Sequence, residues 1–232
     1  MIGVYDYTVI LTYLSLLSAG FGIVISLSEG GHPYLGVFFL MFCGLCDAFD
    51  GKVARTKKNR TEREQRFGIQ IDSLTDLVAF GVLPVCIGAA LLRLSPMLNS
   101  LLSSLSRRGA LAIRFLLFAM EMLYVLAAMI RLAYFNVTEE ERRQTDSGAR
   151  TYYLGLPVTA ASLIFPSVAL MQYVIPADLT IVYFVVALLT GIAFISPIRI
   201  RKPGTRGILH LIGIGAVEFI VMMLLRWLLF RR

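Results

Sequence analysis

The sequence predicts an all-α, polytopic membrane helix bundle, on three observations. Of its 232 residues, 57% are hydrophobic and 16% charged, whereas soluble domains sit nearer half apolar and a quarter charged. The mean hydropathy is +0.75. Several apolar runs are long enough to cross a hydrocarbon layer of ~30 Å. The spans read as 8–28, 34–55, 69–92, 109–136, 155–175, 178–197 and 208–230, all within one integral membrane domain, 1–232. The first six are clear, and the seventh carries His210, Glu218 and Arg226. Residues 93–108 are too polar to span and read as an interfacial or short re-entrant segment.

The first run is expected to be a retained helix, because no basic stretch precedes it and no small-residue cleavage site follows. Cys43, Cys46 and Cys86 all lie in apolar runs and predict no disulfide framework. The Cys43–Cys46 pair reads as two small side chains packed in a helix. No internal repeat is visible, and the paired broken helices of many transporters are absent from the pattern.

The net charge of +7 is concentrated in short connections and carries no nucleic-acid signal. Lys52, Arg55, Lys57, Lys58, Arg60, Arg63 and Arg66 cluster around the second connection. Arg142, Arg143 and Arg150 follow span four, and Arg199, Arg201, Lys202 and Arg206 follow span six. The first and fifth connections have no Lys or Arg. Basic loops face the cytoplasm, so the N-terminus is expected inside. Arg93, Arg107, Arg108, Arg231 and Arg232 resist that arrangement.

Within this apolar chain, "CDAFDGKVAR" places Asp47 and Asp50 three apart, and "GIQIDSLTDLVAFG" places Asp72 and Asp76 four apart. Each pair therefore shares one helix face. Carboxylates at membrane depth are costly and point to function. Four together repel, and hard divalent cations relieve the repulsion. An oxygen-only donor set without His or Cys suits Mg²⁺, Mn²⁺ or Ca²⁺, and paired ions recur in phosphoryl displacement. Gly51 and Ala54 lie on the face of Asp47 and Asp50, and Gly68 lies one turn before Asp72. These small residues leave room for a ligand the size of a nucleotide, and Arg55 is placed to meet a phosphate.

These residues resemble the CDP-alcohol phosphotransferase family, whose pattern D-x-x-D-G-x-x-A-R, a spacer, then G-x-x-x-D-x-x-x-D stands here as Asp47, Asp50, Gly51, Ala54, Arg55, Gly68, Asp72 and Asp76. The spacer, "TKKNRTEREQRF", has twelve residues where eight are usual in that family. The resemblance implies a six-helix core, here with one or more extra helices, and often a homodimer. It implies transfer of a substituted phosphate from a CDP-linked donor to an alcohol, releasing CMP. It assigns two divalent cations to Asp47, Asp50, Asp72 and Asp76, with Asp76 as general base. Asp47, Gly51, Ala54, Arg55, Gly68 and Asp72 then bind CDP.

"RLAYFNV" and "YYLGLPVTAA" are similar to stretches of the phosphatidylserine synthase branch, with Tyr134 where arginine is usual and Thr159 where proline is common. That implies CDP-diacylglycerol as donor and L-serine as acceptor, in the cell membrane with the site toward the cytoplasm. Serine presents a carboxylate beside an ammonium. Arg131 and Asn136 are the nearest candidates to hold it, against a positive-inside anchor and a helix C-terminal cap respectively. Another alcohol, such as inositol phosphate, glycerol phosphate or a lipid, is the alternative within the class. A cation transporter is the alternative outside it, disfavoured by Arg55 and the small residues. A scaffold keeping the motif as a relic is a third. Arg114 and Glu121 read as helix-pairing residues, as does Glu218. His32 and His210 have no metal-ligand company. Pro84, Pro157 and Pro166 read as helix starts or kinks.

Overall fold

A computed structural model describes residues 3–145, 152–175, 177–201 and 205–230. Arg150, Lys202, Arg231 and Arg232 of the charge argument lie outside these residues. Helices run in the order α1 Ile10–Leu27, α2 Pro33–Ala54, α3 Glu62–Asp76, a π-helical segment Leu77–Val82, α4 Leu83–Leu94, α5 Pro96–Ser104 and α6 Arg107–Thr145. A strand β1 (Tyr152–Leu154) and a 3₁₀ turn (Val158–Ala160) lead into α7 Ala161–Val174. Then come α8 Thr180–Ile195, β2 Arg199–Arg201 and α9 Thr205–Phe230. Four helical runs among the described residues are long and apolar enough to cross a membrane: Ile10–Leu27, Pro33–Ala54, Glu62–Leu94 and Arg107–Arg142. Val158–Gln172, Thr180–Ile195 and Leu209–Leu225 are shorter apolar helices. The protein is a multi-pass membrane helix bundle.

Its packing inverts the soluble rule. In α1 the buried stripe is Thr12, Ser15, Ser18, Ala19, Gly22 and Ser26, while Leu17, Phe21 and Val24 are 59–63% exposed. The small face lets α1 approach α2 closely, as expected where lipid rather than water surrounds the helices. Ser18 Oγ donates to the Phe39 carbonyl at 3.0 Å, and Cys43 Sγ to the Ser15 carbonyl at 3.3 Å. The three cysteines are unpaired and buried. Leu40, Phe80, Leu83, Ile87, Tyr124, Phe165, Tyr183 and Phe194 form the centre of the core.

The structure adds detail that the sequence expectation lacked, and α6 runs on to Thr145, past the expected end at 136. The third helical run begins at Glu62 rather than at 69, because Thr61 and Glu64 form a reciprocal capping box. The segment after span three holds the nine-residue α5. Its N-terminus is capped by Ser95 Oγ, which accepts from Leu98 N, and by Asp178, which accepts from Met97 N. Lastly, β1 and β2 pair antiparallel, joining the α6–α7 and α8–α9 connections at one end of the bundle. Gly155 ends β1 with φ +76°, and a Cβ there would sit 2.3 Å from the Phe194 carbonyl oxygen. Only glycine allows that approach.

At the opposite end, Arg93 donates to the carbonyls of Ser26, Leu27 and Gly31, each at 3.2 Å. Its charge is spent on the C-terminus of α1, a local reason for an arginine that the loop-charge pattern leaves unexplained. His32 caps α2, accepting from Tyr34 N.

The π segment follows from Pro84. The α-helical donor to the Phe80 carbonyl would be the N–H of residue 84, which proline lacks. The chain widens instead, with Leu83 N–H bonding Val78 O, and the Tyr124 hydroxyl from α6 donates to the Phe80 carbonyl. Tyr183 from α8 donates to the Pro84 carbonyl at 2.7 Å. Tyr124→Phe should therefore destabilise the protein by about 1–3 kcal/mol, the cost of orphaning a buried carbonyl. Tyr183→Phe should cost less, because within α4 the Pro84 carbonyl already faces Gly88 N–H. Unfolding of both variants in detergent measures the difference, and equal losses would refute the orphan-carbonyl account.

Candidate active site

The site lies where α2 ends and α3 passes beside it. Carboxylate oxygens of Asp47, Asp50 and Asp72 come within 4.8 Å of one another. The i, i+3 spacing turns Asp47 and Asp50 to the same side of α2. The donor set is all oxygen, partly buried and without a cation among the three side chains, so it fits a hard divalent ion. Asp76 stands apart from this set. It ends α3 where the π segment begins, 9% exposed.

Above the carboxylates opens a cavity of about 480 Å³. Asp50 and Asp72 form its acidic side, and Gly51, Ala54 and Gly68 its small-residue wall. Arg55, Lys57, Lys58 and Arg60 supply cations, and Thr8, Val9 and Thr12 close the side toward α1. The motif positions Asp50, Gly51, Ala54, Arg55, Gly68 and Asp72 thus meet around one space. Asp47 and Asp76 are not among its lining residues.

Sequence reasoning missed the N-terminal wall and the use made of the longer spacer. Lys57 bridges Asp6 at 2.7 Å and Glu64 at 2.8 Å, tying the segment before α1 to the start of α3. Lys57 hydrogen-bonding holds the Asp6 carboxyl down to about 2, so the tie persists through the physiological pH range. The T-x-x-E signature at 61–64 was the available signal that the spacer is ordered.

Arg131 and Asn136 do not line this cavity. Arg131 is buried on α6, with Nε donating to the Leu156 carbonyl at 3.3 Å and the guanidinium over the Phe135 ring. Asn136 Nδ2 donates to Ser73 Oγ at 2.7 Å, which places it against α3 beside Asp72. Because α6 continues to Thr145, Asn136 is not a C-terminal cap. Glu121 is buried at 1% exposure with neither oxygen hydrogen-bonded among the described residues. Glu218 accepts from Ser167 Oγ at 2.5 Å, linking α9 to α7.

The chain is 30% identical to the CDP-diacylglycerol–serine O-phosphatidyltransferase of Saccharomyces cerevisiae over 155 residues, 63% of this chain and 48% of the yeast protein. It is 27% identical to the protein of that name from Helicobacter pylori strain 26695 over 170 residues, 69% of this chain and 60% of the other. With the Mycobacterium leprae protein of that name it shares 29% over 133 residues, 57% of this chain and 36% of the other. The chain spans about half the length of these relatives. The profile of the family described as CDP-alcohol phosphatidyltransferase matches residues 8–193. That match starts at the cavity wall and ends inside α8, so it takes in every helix except α9, and the chain belongs to the CDP-alcohol phosphatidyltransferase family.

Proposed function

We propose that this chain transfers the phosphatidyl group of CDP-diacylglycerol to the hydroxyl of L-serine, giving phosphatidylserine and CMP. The observation that carries the reading is the convergence of Asp47, Asp50 and Asp72 within 4.8 Å beside a cavity lined by Gly51, Ala54, Arg55 and Gly68 of the motif. The relatives' names supply the substrates. In this reading 1–232 acts as one integral domain, as a homodimer in the cell membrane. The basic residues around the cavity support a site that faces the cytoplasm.

Asp47, Asp50 and Asp72 would hold two divalent cations, Mg²⁺ or Mn²⁺ with Ca²⁺ as a further candidate, and Asp76, outside that trio but on the same face of α3 as Asp72, is left to act as the base. Bound there, such ions supply charge neutralisation for a pyrophosphate. The small faces of Gly51, Ala54 and Gly68 admit the cytidine nucleotide, and Arg55 meets its phosphate. Asp76 accepts the proton of the serine hydroxyl as its oxygen bonds to phosphorus. The phosphorus–oxygen bond to CMP breaks, and CMP leaves with that electron pair. Burial excludes competing water from Asp76. Arg131 and Asn136 orient serine, Arg131 facing its carboxylate and Asn136 held on Ser73.

The test is CMP release from CDP-diacylglycerol by the purified protein with serine, glycerol phosphate, inositol phosphate or no acceptor. Serine-dependent phosphatidylserine is expected. Turnover with another alcohol instead overturns the serine assignment. No CMP with any acceptor, in the presence of Mg²⁺ and Mn²⁺, overturns the enzyme reading.

A further inference from the structure

We infer that Arg60, supplied by the lengthened spacer and absent from the family motif, is a phosphate ligand for the cytidine nucleotide. This rests on the function proposed above and adds a residue to it. Of the four cations around the cavity, Lys57 is already committed to Asp6 and Glu64. Arg60 is held differently. Its Nη2 donates to the main-chain carbonyl of Glu64 at 3.2 Å. Its Nε is buried and has no hydrogen-bond partner among the described residues. Its only recorded side-chain bond among those residues therefore goes to main chain, and no carboxylate neutralises it within ion-pair distance.

The guanidinium also has a prepared seat. A Cβ on Gly68 would stand 2.7 Å from Arg60 Nη2, so the motif glycine makes room for this side chain. Gly68 precedes Asp72 by one helical turn, about 6 Å along α3. The planar donor fork is thus on the cavity side of α3, one turn from the carboxylates. Its backbone is fixed as well. Gln65 Nε2 donates to the Arg60 carbonyl at 3.3 Å, and the Thr61–Glu64 capping box follows directly. A guanidinium preorganised in this way and facing no carboxylate matches an anion that offers two acceptor oxygens to one fork. In a cavity of this size beside an acidic cluster, a nucleotide phosphate is the group with that chemistry. The spacer then does more than make a connection: through Arg60 it adds a second guanidinium to the one in the motif, Arg55.

The experiment measures CMP affinity of the detergent-purified full chain in Mg²⁺, with cytidine as competitor lacking the phosphate. Arg60→Gln should weaken CMP binding about 10- to 100-fold, the range for a hydrogen bond to a charged group. It should raise KM for CDP-diacylglycerol similarly, leaving KM for serine and inhibition by cytidine unchanged. Arg60→Lys keeps the charge without the fork and should fall between. Unchanged CMP affinity, or equal losses for CMP and cytidine, overturns the phosphate contact. Failure of the unaltered protein to bind CMP overturns the proposed function itself. In that unaltered protein, CMP should also protect Arg60 from phenylglyoxal, mapped by peptide mass. Equal labelling with and without CMP counts against the assignment whether or not the variants fold.

Discussion

Asp76→Asn should lower kcat for CMP release by at least 10²-fold and by up to about 10⁴-fold, the usual contribution of a positioned general base. Asparagine keeps the shape while removing the negative charge and the ability to take a proton. The structure sharpens this expectation, because Asp76 stands outside the trio of carboxylates that meet within 4.8 Å. Its loss should therefore leave ion binding largely in place. Mg²⁺ or Mn²⁺ should still raise the Tm of the variant, and excess Mn²⁺ should not restore turnover. Wild-type kcat in this variant would remove Asp76 from the mechanism. Loss of the ion-dependent Tm shift would make it a ligand instead of a base.

The second large effect concerns the trio. Three charges within 4.8 Å repel by roughly 3 kcal/mol or more per pair at an effective dielectric constant of ~20, so ions or protons must offset them. Chelation should abolish CMP release, and Mg²⁺ or Mn²⁺ should restore it. Binding to the native state alone stabilises by about 2.7 kcal/mol when free ion is at 100 times Kd, which a Tm measurement resolves. Asp50→Asn relieves repulsion and removes a donor. It should be more heat-stable than the unaltered chain in chelator, yet gain less from added ions and show little turnover. If the unaltered chain and Asp50→Asn respond identically to divalent ions, the trio is not where they bind.

The motif aspartates were legible because helical spacing alone decides that Asp47 and Asp50 share a face, as do Asp72 and Asp76. The long apolar runs were legible because a membrane demands them. Asp76 shows where such reasoning stops. Spacing four from Asp72 places it on that face, but the distance to a carboxylate on another helix depends on how α2 and α3 approach, and on the π segment that follows. That segment answers to Pro84, visible in the sequence, and to Tyr124, forty-four residues from the carbonyl it serves. The ordered spacer was half legible: the capping box at Thr61 and Glu64 is local, whereas Lys57 finding Asp6 is not.

The sequence by itself determined a bundle of apolar helices carrying paired carboxylates, because periodicity and hydropathy are properties of single segments. Only the tertiary structure decided which carboxylates meet, which cations face the cavity, and what Arg93, Tyr124 and Asn136 hold. Those are distances between segments, and in a lipid-facing bundle they are set by close packing of small residues and by hydrogen bonds between helices.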